Sequence, residues 1–413
     1  MRHLLLIAAL TTAAAVSGRD ICVDYRSGKA DNPGTREAPL ATTGQALKLA
    51  APGDIVRILP SDRPIRDNVE IVNLRGTREK PIVIDGMNNI LLGTKPLDPR
   101  QWREVEPGLF RREVVTGENW AYRFFLTCNG KINRMGRLLK SAVPGAKFKK
   151  PDALAPGEWT VVKNEFVPSD NRHHKQFRFE YFVRLPAGAS SLADSGLEEP
   201  DVRRDGGVNF SGRCEFVTVR NLIAKNFYND GYNIHGKCRD LHFENIAAVD
   251  CCDDGISAHE ACTLTGKNMV FIGCSTAICH IQNVTSVQEN VYAEKITGRE
   301  LYFLANTRNT VRNVFMIADS RSGSLWTNRK GDRQTAVLEN IFAVSTNPES
   351  VFEVRADGEL ALTASDVQLA GFGQVMKRSG IAVVDPEDLR NRILAERRKF
   401  FAIFGGNLEK ALE

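Results

Sequence analysis

The chain has 413 residues, 42% of them hydrophobic and 25% charged, with 33 Gly, 17 Pro and no triplet period. This is a globular composition that excludes wholesale disorder and collagen, while the length exceeds one ordinary compact domain of roughly 100–200 residues and points to two domains or one elongated repeat fold. Lys and Arg outnumber Asp and Glu by 55 to 50, a net charge of +5, which is too mild for a dedicated nucleic-acid binder and compatible with an acidic substrate.

Arg2 and His3 precede an apolar run from Leu4 to Leu10, which continues to Val16 and ends in the small residues Ser17 and Gly18. A basic start, a short apolar core and a small-residue cleavage zone predict a secretory signal peptide over residues 1–18. The run is too short to span a bilayer, which takes about 20 residues, and no later stretch approaches that length. The expectation is a secreted or periplasmic protein with no membrane span.

Residues 19–97 read as an N-terminal cap and the first coils of a solenoid. The segment DNPGTREAPLATTGQALKLAAPGDIVRILP runs from Asp31 to Pro60, and Pro81-Ile82-Val83-Ile84-Asp85-Gly86 supplies a strand and a turn. Gly34-Thr35, Pro39 with Thr42, the Ala-rich stretch Ala46 to Ala51, and Pro52-Gly53-Asp54 make this stretch resemble the opening of many secreted right-handed parallel β-helix proteins, among them polysaccharide lyases. The resemblance implies a short helix that caps the open end of the solenoid, where strand edges and core are otherwise exposed.

Residues 98–204 break the pattern and predict a β-rich insertion. Trp102, Phe110, Trp120, Tyr122 and Phe124-Phe125 alternate with charges, and Gly157-Glu158-Trp159 and Tyr181 to Gly188 read as strands closed by turns. The insertion resembles that of some β-helix glycosidases, in which a Gly-Glu-Trp segment precedes a Leu-Pro-x-Gly turn. Arg172-His173-His174-Lys175 within it reads either as a solvated loop or as a contact for phosphate or uronate.

Residues 205–384 carry a repeat. Asn221, Asn245, Asn268, Asn290, Asn313 and Asn340 each open a short apolar stretch, at intervals of 24, 23, 22, 23 and 27. Such a period in strands and turns fits one coil per repeat of a parallel β-helix. The Asn column predicts a ladder of side-chain amides in the turns. Cys214, Cys238 and Cys262 recur with the same spacing. The chain has nine cysteines, an odd number with no CxxC pair, so at least one thiol is unpaired, and stacked buried thiols are as compatible with the spacing as disulfides. Residues 385–413 switch to helical periodicity, with Pro386 at the start and Leu389, Ile393, Leu394 and Phe400-Phe401 on one face; the helix is expected to cap the last coil. The predicted fold is an all-β, right-handed parallel β-helix with an N-terminal capping helix, a β-rich insertion and a C-terminal helix, acting as a monomer.

Asn229-Asp230-Gly231-Tyr232-Asn233-Ile234-His235 aligns with Asp253-Asp254-Gly255-Ile256-Ser257-Ala258-His259 at a constant offset of 24. Asp230 then stacks on Asp254, Asn229 on Asp253 and His235 on His259, and strand alternation sends both histidines outward if Ile234 and Ala258 face the core. Carboxylates about 5 Å apart do not both ionise freely. They fit a division into acid and base, a bound Ca²⁺ on Asp230, Asp253 and Asp254, or a turn ladder of Asp side chains on backbone amides. The ninth position after each ladder Asn gives Asp230, Asp254, Ala277, Arg299 and Ser322, placing Arg299, with Lys295 in its coil, on the same edge to grip a carboxylate or sulfate. Asn229, Asn233 and His280 are further candidate substrate contacts.

These coils resemble the polygalacturonase-type glycosidases, whose motif runs Asn-x-Asp-Gly, Asp-Asp one coil later, a His-Gly coil, then Arg-x-Lys. Asn229-Asp230-Gly231 lacks the middle residue, Asp253-Asp254 matches, Thr276-Ala277-Ile278 stands in place of His-Gly, and Arg299-Glu300-Leu301 supplies the Arg without the Lys. The resemblance implies hydrolysis of an acidic extracellular polysaccharide by Asp230 and Asp254, with Asp253 orienting water or metal and His235 and His259 as proton carriers or substrate contacts. The expectation is no cofactor, or Ca²⁺ on the three carboxylates, and a polysaccharide rather than nucleic acid as partner. A lyase with an Arg or Lys base and a non-catalytic glycan-binding or surface β-helix remain the alternatives.

Overall fold

The structure is a computed structural model that describes residues 18–117, 124–133, 148–167, 176–319, 321–327, 330–356, 358–377 and 379–413. Of the sequence features above, residues 1–17 of the signal peptide, Trp120, Tyr122 and the Arg172–Lys175 run lie outside the described residues. Among the described residues no helix is long and apolar enough to cross a membrane.

The chain winds into a parallel β-solenoid. One sheet has 11 strands and a second has nine, and neighbours in both are successive coils. Six of the long strands of the first sheet bend in the middle at a ladder Asn. These six residues adopt left-handed backbone with φ between 53° and 57°, a conformation that Asn tolerates better than other residues with a side chain. The bend lets residues on both sides of it face inward: in Glu215–Lys225, Val217 and Val219 precede Asn221, Leu222 and Ala224 follow it, and all four are fully buried.

The amides stack as the sequence predicts. Nδ2 of each Asn donates to Oδ1 of the one before, at 2.9 Å for Asn245 to Asn221, 2.9 Å for Asn268 to Asn245, 3.0 Å for Asn290 to Asn268, 3.2 Å for Asn313 to Asn290 and 2.9 Å for Asn340 to Asn313. The ladder begins one coil earlier than the Asn pattern, because Asn221 donates to Asp85 at 3.0 Å, and Arg57 and Arg220 flank that carboxylate. Cys214, Cys238 and Cys262 occupy successive coils in the core, and all nine cysteines are free thiols.

The capping helix is Thr43–Leu49. The Thr42 hydroxyl accepts from the Gln45 N–H and the Gln45 side chain returns to the Thr42 N–H, satisfying amides the helix leaves open. Ala46 on its inner face is fully buried against the first coils.

The insertion leaves the solenoid after Ile82–Leu92 and returns before Val208–Ser211. It forms two four-stranded sheets, with Thr94–Pro96, Leu126–Cys128, Lys131–Asn133 and Leu197–Pro200 in one and Arg103–Glu106, Leu109–Gly117, Trp159–Val167 and Gln176–Arg184 in the other. All their pairings are antiparallel. The solenoid closes over the excursion, since Glu215–Lys225 pairs directly and in parallel with Ile82–Leu92. The insertion's core of Phe125, Trp159, Phe179 and Tyr181 also takes in Cys252 and Tyr228 from two solenoid turns.

The C-terminal segment forms two helices, Pro386–Ala402, capped by the Asp385 side chain, and Asn407–Leu412. They do not cap the last coil. Leu389, Ile393, Phe400 and Phe401 pack on the outward apolar residues of the long strands, including Ile223, Val249, Tyr292 and Phe342. Arg397 holds Glu294 through two bonds of 3.1 and 3.0 Å, and Asn407 Nδ2 donates to the Asn88 carbonyl at 3.0 Å. The helices therefore run back along the side of the solenoid toward its first coils, where the outward apolar residues of the long strands bury their inner face.

Candidate active site

The outer face of the nine-stranded sheet carries a cleft of about 540 Å³. Its floor is built where each turn enters a strand. Gly231 and Gly255 stand at this corner, and only glycine fits there: a Cβ on Gly231 would lie 2.5 Å from the Ala248 Cβ, and one on Gly255 would lie 2.3 Å from the Phe271 ring. The close approach brings the preceding Asp of each coil to the strand's start, facing out.

Backbone bonds fix these residues. Gly207 N–H donates to the Asp230 carbonyl at 3.1 Å, and Gly231 N–H donates to the Asp254 carbonyl at 2.8 Å. Asp254 N–H donates to Oδ1 of Asp230 at 2.9 Å. Asp253 N–H donates to the Asn229 carbonyl at 3.1 Å, and its own carbonyl accepts from Ser275 N–H at 2.7 Å. Cys252, immediately before Asp253, is held in the core of the insertion, so the insertion braces the acidic turn. One carboxylate oxygen from each of Asp230, Asp253 and Asp254 lies within 4.8 Å of the other two. The three residues are 3%, 3% and 5% exposed. Charges this close and this buried repel unless a proton or a cation is shared among them.

The outward positions of the next columns complete the cleft. Asn233, Ser257, Cys279 and Tyr302 are in register on successive coils, as are His235 and His259. The two imidazoles stack with centroids 4.4 Å apart and planes 6° from parallel. His235 Nδ1 is 3.9 Å from Glu260, and His259 Nε2 is 2.9 Å from the Ser257 hydroxyl. Arg299 lies farther along, its guanidinium carbon 4.8 Å from the centre of the Tyr302 ring and a nitrogen 3.8 Å from Glu353. Burial first, and then the charges of Asp254, Asp253 and Asp230, push the Cys279 thiol well above its usual range. It is therefore no thiolate nucleophile.

The cleft thus gathers Asp230, Asp253, Asp254, His235, His259, Asn229, Asn233 and Arg299. Two sequence candidates lie elsewhere. His280 pairs in register with Ala258 and Phe303, faces the solenoid interior and is fully buried. Lys295 is exposed, at a left-handed turn with φ 56° just after Thr285–Glu294, and does not line the cleft. The column of the acids also shifts by one: Asp254 pairs with Thr276, Thr276 with Arg299 and Arg299 with Arg321, so Thr276 and Arg321 replace Ala277 and Ser322. The cause is a coil of 22 residues between Asp254 and Thr276, one fewer than the 23 between Asn245 and Asn268. Ser257, Ser275, Cys279 and Tyr302 are not singled out from sequence, though the position twelve after each ladder Asn, which gives Asn233, reaches Ser257 and Tyr302 and misses Cys279 by the same one-residue slip.

The fold and the cleft define a parallel β-solenoid with an acidic groove on one face. No family model matches the sequence, and no curated protein matches it. Solved structures of similar winding include XylC in complex with xylose (11% identity, TM-score 0.42, 86% of this chain and 69% of that one), a GH136 lacto-N-biosidase from Eubacterium ramulus (10%, 0.33, 88% and 68%) and a rhamnogalacturonan lyase (12%, 0.32, 89% and 84%).

Proposed function

We propose that this protein is an exported enzyme that cleaves an acidic polysaccharide by carboxylate-assisted hydrolysis in the cleft. The observation that supports the reading is the convergence of three buried carboxylates on the floor of an open groove, an arrangement that costs stability unless it is used. One oxygen of each carboxylate lies within 4.8 Å of the others, close enough for the pair of a retaining mechanism, whose carboxyl groups stand about 5–5.5 Å apart.

In this reading Asp230 is the nucleophile. The Asp254 N–H aimed at its Oδ1 orients the carboxylate and suits its ionised form. Asp254 protonates the leaving oxygen and then takes a proton from the attacking water, while Asp253 holds that water. His235 and His259 offer a stacking surface and hydrogen-bonding nitrogens to the sugar, and the Arg299 fork, backed by Tyr302, grips an acidic group along the chain.

The test is incubation of the purified protein with a panel of acidic polysaccharides, reading both new reducing ends and ultraviolet absorbance of unsaturated uronates. Reducing ends without absorbance are expected, and Asp254→Asn abolishes turnover while its thermal midpoint stays within a few degrees of the wild type. Ultraviolet-absorbing wild-type products would replace hydrolysis with elimination. A variant that retains turnover removes Asp254 from the chemistry.

A further inference from the structure

We propose that the acidic corner of the cleft binds a hard divalent cation of the calcium class, held by Asp230, Asp253, Asp254, Asn229 and Asn233. Ligand oxygens on opposite sides of a Ca²⁺ ion, each at 2.3–2.6 Å, are about 4.6–5.2 Å apart. The three carboxylate oxygens, within 4.8 Å of one another, fit around one such ion without backbone movement.

Two neutral oxygens point to the same ligand independently. Asn229 and Asn233 are each 7% exposed, both line this cleft, and the Oδ1 of each is buried with no hydrogen-bond partner. A buried amide oxygen left unbonded is unfavourable, and an anion or a second acceptor would not relieve it. A cation relieves both problems together, the missing partners of the amides and the mutual repulsion of the carboxylates. The two amides flank the acids along the chain: Asn229 directly precedes Asp230 and accepts the Asp253 N–H through its carbonyl, and Asn233 is an outward residue of the strand that follows, in register with Ser257.

The donor set selects the ion. It is all oxygen, which suits calcium and magnesium over zinc or copper. Five protein oxygens leave about one to three of calcium's 6–8 positions for water or substrate, whereas magnesium keeps several waters and is seldom enclosed by protein alone. The cation site rests on the hydrolase reading only for its consequence in turnover. A carboxylate that ligates a cation neither attacks nor donates a proton, so calcium competes with hydrolysis.

The experiment titrates calcium chloride into the purified, chelator-stripped protein by calorimetry and follows thermal unfolding with and without the ion. One site per chain is expected, with a dissociation constant of about 10⁻⁴–10⁻³ M, as in extracellular calcium modules, and a thermal midpoint raised by a few degrees at saturation. Magnesium chloride binds about tenfold more weakly or less. Asp253→Asn and Asn233→Ala each weaken calcium binding by about tenfold or more; the second variant alters no carboxylate and serves if the first fails to fold. Absence of binding heat and of any midpoint shift, or undiminished binding by both variants, overturns the site. Turnover separates the two readings. Hydrolysis inhibited by calcium supports both. Hydrolysis indifferent to saturating calcium overturns the cation site and leaves the hydrolase. Calcium-dependent formation of ultraviolet-absorbing products upholds the cation site and overturns the hydrolase.

Discussion

Protonation of His280 is expected to unfold this protein in acid, by an amount the structure sets. Nδ1 lies 2.8 Å from Asn309 Oδ1, an oxygen that also accepts from the Ser286 hydroxyl at 2.9 Å. Nδ1 therefore carries the hydrogen of the neutral ring, and Nε2 is buried with no partner. A second proton would place an N–H and a charge in the solenoid interior with nothing to accept them. Burial accordingly pulls the imidazole from 6.5 to about 4, although the bond to Asn309 works the other way. The unfolded chain takes up this proton near pH 6.5 and the folded chain only near pH 4. Stability from this group is thus complete above pH 6.5 and is lost as pH falls toward 4. Some 2.5 pH units at 1.36 kcal/mol each amount to about 3 kcal/mol. The assay is urea unfolding of the wild type and His280→Gln at intervals between pH 7.5 and 4. Whatever the variant's stability at neutral pH, the wild type should lose about 3 kcal/mol more over this interval. Parallel curves would refute the reasoning.

Two further substitutions probe the cleft. Gly255→Ala drives a methyl to 2.3 Å from the Phe271 ring and 2.7 Å from the Ala277 carbonyl, and should cost about 1–3 kcal/mol in urea unfolding as an overpacked core site, with turnover falling as Asp254 is displaced. Arg299→Lys keeps the charge and loses the fork; under hydrolysis it should raise KM several-fold on an acidic polysaccharide with kcat nearly unchanged, and a loss confined to kcat would make Arg299 a participant in the chemistry.

The coils were legible in the sequence because stacking demands repetition. An amide ladder needs Asn in every coil, and the Asn229–His235 and Asp253–His259 segments share a spacing of 24 that brings Asp230 beside Asp254 and His235 beside His259. Legibility failed where the period slipped. The 22-residue coil after Asp254 shortens the turn rather than the ladder spacing, so counting from Asn268 arrives at Ala277 one residue late. The same slip puts Cys279 in the outward column of Asn233 and Ser257 and turns His280, in register with Ala258, toward the core. Lys295 was assigned by coil membership alone, and a coil has three sides. The course of the C-terminal helix was hidden for another reason. Its apolar stripe states that it packs, whereas its partner, the outward row of Val249, Tyr292 and Phe342, is split across the long strands of separate coils.

The two C-terminal helices also fix the length of part of the solenoid. In a repeat array whose units touch only their neighbours, coils are gained or lost at little cost and ends fray independently. Here a strap anchored at Glu294 and again at Asn88 measures the distance between a middle and an early coil. Duplicating or deleting one coil between them would move one anchor by about 4.8 Å relative to the other and leave Arg397 or Asn407 without its partner. The stretch from the Asn88 coil to the Glu294 coil behaves as a gauged length, and the coils within it are bound to melt together.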